Sequence, residues 1–192
     1  MSTDYHIRRD CRLCNGYVRE VLKLPDTPLA NELLAKPDEQ DVFPLYLVQC
    51  VDCGHVQLPV VVNPVRLFRH YVYQSGTSPV FVRHLHDFAR DVQPKEAGFI
   101  FEVGSNDGTL LAEYKRLGFE VLGCDPAANI AEQAEKNGVP TLRQFFGLHT
   151  LANWYIHGRK AGLIIALNVF AHADGLGEIA DAVWALLADD GE

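Results

Sequence analysis

Phe99-Ile100-Phe101-Glu102-Val103-Gly104-Ser105-Asn106-Asp107-Gly108 decides the fold of the C-terminal half of this chain. An apolar run of five residues, interrupted only by Glu102, leads into one glycine, and a second glycine follows four residues later. A run of this length reads as a buried parallel strand. The glycine-containing turn then feeds a helix. Gly104 lets a ligand approach the backbone, and Gly108 lets the helix start close by. The turn lies beyond the carboxyl end of the strand, where nucleotide-type ligands bind in doubly wound sheets. The usual middle glycine is replaced by Asn106. Asparagine tolerates the left-handed region, so the turn survives while a strict dinucleotide fingerprint is absent.

Outward from that turn the pattern alternates. Asp107 to Leu117 reads as a helix with Gly118 just past its end. Phe119 to Cys124 is a second strand, closed by Asp125-Pro126, and Pro126 to Asn137 is a helix stopped by Gly138. Val139 to Leu142 and Leu163 to Leu167 are further strands, and Gly175 to Ala188 is a last helix. The series predicts an α/β, doubly wound, Rossmann-like parallel sheet. Asp125 falls 21 residues after Gly104, at the end of the second strand. A carboxylate there can accept both ribose hydroxyls of an adenosine. The alternative is that Asp125 only caps its helix.

The N-terminal part differs in character. Cys11-x-x-Cys14 and Cys50-x-x-Cys53 are two matched pairs with 35 residues between them. Each Cys-x-x-Cys turn supplies two corners of a tetrahedron, so the two together fit a closed four-sulfur structural zinc site. Two disulfides or buried thiols are the alternatives. Gly54, directly after the last ligand, suits a turn that aims backbone N–H groups at the sulfurs. Runs around Pro44 to Val48 and His55 to Leu58 look like short strands. Ser78 and Pro79 open a helix whose stripe is Val82, Leu85, Phe88, Ala89 and Val92. The expected division is a zinc-binding domain over 1–75, a connecting helix and linker over 76–98, and a partial cofactor-binding domain over 99–192.

Composition narrows the function. Seventeen basic against twenty-five acidic residues leave a net charge of -8, and no basic run occurs. That argues against a nucleic-acid partner, which needs clustered Lys and Arg. Met1 to Asp10 is polar and charged, unlike a signal peptide, and no apolar run reaches membrane-spanning length. A cytoplasmic, reducing location then favours metal over disulfide at the paired cysteines.

Several stretches together resemble the sugar C-methyltransferases. Cys11-Arg12-Leu13-Cys14, Pro28-Leu29-Ala30-Asn31, Pro44-Leu45, Cys50-Val51-Asp52-Cys53-Gly54 and Val56-Gln57-Leu58 are similar to that family's N-terminal zinc-binding domain. Tyr71-Val72-Tyr73-Gln74-Ser75-Gly76-Thr77-Ser78 resembles its Tyr-x-Tyr-x-Ser segment. Glu102 to Leu111 is similar to its S-adenosylmethionine loop, and Asn168-Val169-Phe170-Ala171-His172 to its fourth-strand motif.

The resemblance implies a class I S-adenosylmethionine-dependent methyltransferase. Its expected reaction is methylation of a ring carbon of a nucleotide-linked keto-deoxysugar, and its zinc would be structural. It implies Glu102, Gly104, Ser105, Asn106, Asp107, Gly108, Asp125 and Asn168 at the cofactor, with Tyr71, Tyr73 and His172 as candidate catalytic residues. A tyrosine pair there can equally be packing. The rival readings are a methyltransferase of a non-sugar small molecule and a non-catalytic zinc-stabilised binding module. The family's Tyr-His-Glu-His motif does not occur, and Asp189-Asp190-Gly191-Glu192 falls about where a fifth strand is expected to begin. The sequence thus reads as an N-terminal fragment, with the edge Leu163 to Leu167 left unpaired and open to self-association.

Overall fold

A computed structural model of the chain describes residues 4–36, 38–95, 98–152 and 158–192. The chain divides into two compact units between Arg69 and His70. Residues 70–98, expected to be shared between the first domain and a linker, belong to the second unit.

The first unit is built from short antiparallel sheets. Strand β1 (Tyr5–Ile7) pairs with β5 (Val60–Val62), and β3 (Phe43–Cys50) lies between β2 (Val18–Thr27) and β4 (Val56–Gln57). β2 carries no alternation that the sequence reading recognised, and it contains Pro25. Its pairing with β3 accommodates this through irregularities between Glu20 and Leu22 and between Leu24 and Thr27. A short helix, α1 (Pro64–Phe68), carries Arg66. That guanidinium stacks 5.1 Å over Phe43 and pairs with Asp4, Glu32 and Asp41. Phe43, Val48, Cys11 and Cys50 are buried.

The second unit is the expected α/β fold. Its four parallel strands are β6 (Phe99–Val103), β7 (Val121–Cys124), β8 (Thr141–Leu142) and β9 (Ala161–Ile165), in the order β8-β7-β6-β9. Helices α2 (Pro79–Asp91), α3 (Thr109–Arg116) and α4 (Ala128–Lys136) pack on one face around Leu85, Ile100, Leu111, Tyr114 and Ala134. Helix α5 (Leu176–Leu186) contributes Leu186 to the other face with Phe99, Phe101 and Leu122. α2 starts as the sequence predicts, with the Ser78 hydroxyl accepting from Phe81 N and Pro79 in the first turn. All five residues of β6 are buried, which is why its run is continuous rather than alternating.

One expectation is met only in part. The sequence leads to an unpaired edge along Leu163 to Leu167 because a fifth strand would be missing and the last helix, to Ala188, would cover only one face. The helix ends at Leu186, and Leu187 is extended. Residues 187–192 turn back beside β9 in the parallel sense, with Ala161 bridging Leu187. Ala188 N donates to Ala161 O at 2.9 Å, Ile164 N to Glu192 O at 2.8 Å, and Glu192 N to Gly162 O at 3.1 Å. The chain's own last residues thus pair with residues 161–164, the start of that edge.

Candidate functional site

The first unit brings its four paired cysteines together. The Sγ atoms of Cys11, Cys14, Cys50 and Cys53 all lie within 4.8 Å of one another. Cys11 Sγ is 3.6 Å from Cys53 Sγ, and Cys14 Sγ is 3.5 Å from Cys50 Sγ. A disulfide needs about 2.0 Å, so all four are free thiols. Ligands at zinc–sulfur bonds of about 2.3 Å sit roughly 3.8 Å apart in a tetrahedron, so the set fits that ion. The two knuckles are built alike. Asn15 N donates to Cys11 O, and Gly54 N donates to Cys50 O. The residue after each second cysteine is left-handed, Asn15 at φ 60° and Gly54 at φ 77°. Four thiolates leave no open coordination position, so zinc held here stabilises the fold and does no chemistry.

In the second unit the candidate cofactor residues meet at the carboxyl ends of β6, β7 and β9. Gly104 takes φ +68°, and a Cβ placed on it would lie 2.7 Å from Val169 Cγ2. The glycine is therefore needed because the loop after β9 crosses it. Asn168, in that loop, is left-handed at φ 57°, a conformation that marks a constrained turn. His172 closes a 3-10 turn, Phe170–His172, with its N donating to Val169 O and its side chain exposed.

Asn106 is also left-handed, at φ 49°. Asn106 N donates to Asp125 Oδ2 at 2.9 Å, and Ala127 N donates to Asp125 Oδ1 at 2.8 Å. Asp125 thus ties the glycine turn to the entrance of α4, and each of its oxygens keeps a lone pair for a ligand hydroxyl. Burial raises its carboxyl above the ordinary range, opposed by the donors Ala127 and Asn106. Asp107 is buried and already engaged. Thr109 N and Thr109 Oγ1 donate to its Oδ1, and Gly76 N donates to its Oδ2.

Glu102 and Ser105 are different. Glu102 is 5% exposed and Ser105 3% exposed. Glu102 Oε2 and Ser105 Oγ are buried without a hydrogen-bond partner. Burial, then the nearby Asp125 and Asp107, hold the Glu102 carboxyl well above the usual range. Tyr114, which donates from its hydroxyl to Val92 O at 2.6 Å, is pushed up to about 12 by burial and by Glu102. Unpaired buried polar atoms at a loop of this kind fit a ligand that would complete them.

The segment before α2 lies on the same loops. Ser75 N donates to Asn106 Oδ1, and Asn106 Nδ2 donates to Tyr73 O. Tyr71 N donates to Asn129 Oδ1, and Asn129 Nδ2 donates to Tyr71 O. Both candidate tyrosines are therefore positioned through their backbone, Tyr71 half-buried and Tyr73 47% exposed. Sequence reasoning missed Asn129. A lone asparagine in a helix's first turn carries no signal of a partner 58 residues earlier.

Strand order β8-β7-β6-β9 with this turn after β6 is that of a doubly wound, Rossmann-like α/β fold. Residues 11–68 match a family described as "Putative zinc binding domain". The chain is 30% identical over 190 residues to C-methyltransferase NovU of Streptomyces niveus, covering 95% of this chain and 45% of that protein. This chain thus spans less than half the length of that relative. Among solved structures, the CcbJ methyltransferase of Streptomyces caelestis aligns at TM-score 0.47 and 16% identity, over 62% of this chain and 53% of that one. Magnesium protoporphyrin IX methyltransferase of Synechocystis PCC 6803, solved with bound SAM, aligns at 0.43 and 16%, over 55% and 52%. Residues 11–68 are thus similar to a zinc-binding family, and the chain as a whole is similar to a C-methyltransferase.

Proposed function

We propose that residues 70–192 bind S-adenosylmethionine for C-methylation of a nucleotide-linked keto-deoxysugar, with residues 1–69 a zinc-stabilised domain of the same cytoplasmic enzyme. The observation that carries this is the turn 104–108 on β6, tied by Asn106 to Asp125, with Glu102 Oε2 and Ser105 Oγ buried and unpartnered beside it. Similarity to a C-methyltransferase across the chain supports the reaction type.

When bound, S-adenosylmethionine supplies an electrophilic methyl group on a sulfonium. Asp125 accepts from the ribose hydroxyls, and Gly104 to Gly108 supply backbone close to the cofactor. Glu102 and Ser105 offer the polar atoms that the fold leaves unpaired. A ketone acidifies its neighbouring C–H, so a base must take that proton and a donor must stabilise the enolate, whose carbon would take the methyl group as the sulfur–carbon bond breaks and the thioether leaves. His172, at the loop after β9, is the residue we assign to the keto oxygen or the proton. Tyr71 and Tyr73 are assigned to the sugar.

Titration calorimetry of the chain with S-adenosylmethionine tests the reading. We expect saturable binding, weakened by Asp125→Ala by on the order of 1–3 kcal/mol, the range for a hydrogen bond to a charged group. Absence of binding by the parent overturns it, and an unaffected variant moves the ribose elsewhere. A screen of keto-sugar nucleotides against other small acceptors then tests the substrate class.

A further inference from the structure

We propose that Asn106 and Asn129 are positioning residues that latch the segment 71–76 as a strap across the cofactor crevice, and that release of this strap limits dissociation of the bound cofactor. The inference rests on the reading that S-adenosylmethionine binds at residues 104–108.

The two asparagines sit on the two loops that matter most for a nucleoside. Asn106 belongs to the turn after β6, and Asn129 to the first turn of α4, four residues after Asp125. The strap spans from one loop to the other. On this proposal, a ligand held by both loops lies beside the strap that joins them.

The chemistry of the latch is specific. Asparagine offers an N–H donor group and a carbonyl acceptor in a single planar amide. Asn129 uses both on one residue, accepting from Tyr71 N at 3.2 Å and donating to Tyr71 O at 2.8 Å. Asn106 accepts from Ser75 N at 2.9 Å and donates to Tyr73 O at 3.1 Å. Each side chain stands in for a neighbouring strand, satisfying backbone groups of a segment that no sheet pairs. Asp107 Oδ2 adds a third tie by accepting from Gly76 N at 2.8 Å.

This explains a departure in the sequence. The left-handed turn at position 106 is met at least strain by glycine. Glycine there would keep the turn and lose the strap. The asparagine trades some backbone comfort for two hydrogen bonds to residues 73–75.

The test measures association and dissociation rates of S-adenosylmethionine on the full chain, with amide hydrogen exchange of the strap. Asn129→Ala is expected to speed dissociation about tenfold, the effect of two neutral hydrogen bonds. Exchange at the Tyr71 amide should rise, while the melting temperature changes little, since alanine favours the helix. Asn129→Asp keeps the acceptor for Tyr71 N and should fall between parent and alanine variant. Asn106→Gly retains the left-handed turn and should free the Ser75 amide in the same way. A merely structural role would lower the melting temperature without separating the two rates. Faster strap exchange with an unchanged dissociation rate overturns the gating, and unchanged exchange overturns the latch. A parent that binds no S-adenosylmethionine overturns the cofactor reading and the gating with it, while exchange at Tyr71 and Ser75 still reports on the latch.

Discussion

Gly104→Ala tests how closely the loops after β6 and β9 approach. Two costs are worked from the structure. The backbone there is left-handed at φ +68°, which penalises any L side chain by about 1–2 kcal/mol. The added methyl would also sit 2.7 Å from Val169 Cγ2, well inside the ~3.5–4.0 Å of ordinary carbon contact. Forcing that neighbour aside costs about 1–3 kcal/mol. The single variant should therefore lose roughly 2–4 kcal/mol once the costs partly relax together. Val169→Ala, at a half-buried site, should alone lose about 1 kcal/mol. In the double variant the clash disappears and the φ penalty remains. Double-mutant coupling of about 1–3 kcal/mol in the favourable direction follows. Urea unfolding followed by far-UV circular dichroism at the helical bands is the assay, because α2 to α5 all lie in the second unit. Strict additivity within about 0.5 kcal/mol would refute the close approach. A fully stable Gly104→Ala would refute the left-handed turn as well.

Metal analysis should return one zinc per chain, and Cys50→Ser should lose it along with the fold of residues 1–69, since metal binding energy is folding energy in so small a unit. Two disulfides in the purified protein would contradict this. Glu102→Gln should remove a pH dependence. A carboxyl whose pKa is raised by folding adds stability below the ordinary carboxylate range and loses it as pH rises through the folded value, by about 1.4 kcal/mol per tenfold change in proton affinity. The variant should therefore gain on the parent as pH rises from 4 toward neutrality (a span of ~3 units). Glu113, held down to about 2 mainly by its hydrogen bonds to Arg116, loses its contribution as pH falls and cancels in the comparison. Parallel stability curves would show that folding does not raise the Glu102 pKa.

What was legible in the chain follows from local rules. The apolar run into Gly104, the glycines after the helices, Ser78-Pro79 before α2 and the two Cys-x-x-Cys pairs each act over a few residues. Period and turn chemistry read them directly. β2 escaped because its irregular pairing with β3 removes the alternation that marks a strand. The course of residues 187–192 escaped because a helix end shifted by two residues decides whether the tail continues or turns back.

The sequence alone determined which residues could ligate zinc, where the glycine turn after β6 lies, and that Asp125 directly follows the second strand. The tertiary structure decided what those residues touch. It showed that Gly104 is required by Val169, that Asp107 is already committed to Thr109 and Gly76, and that Asn106 and Asn129 hold the tyrosine segment. The physical reason is range. Backbone conformation and hydrophobic period are set by neighbours in the chain, whereas a side-chain amide bonds whichever backbone the fold carries to it, and here that backbone lies 31 and 58 residues away.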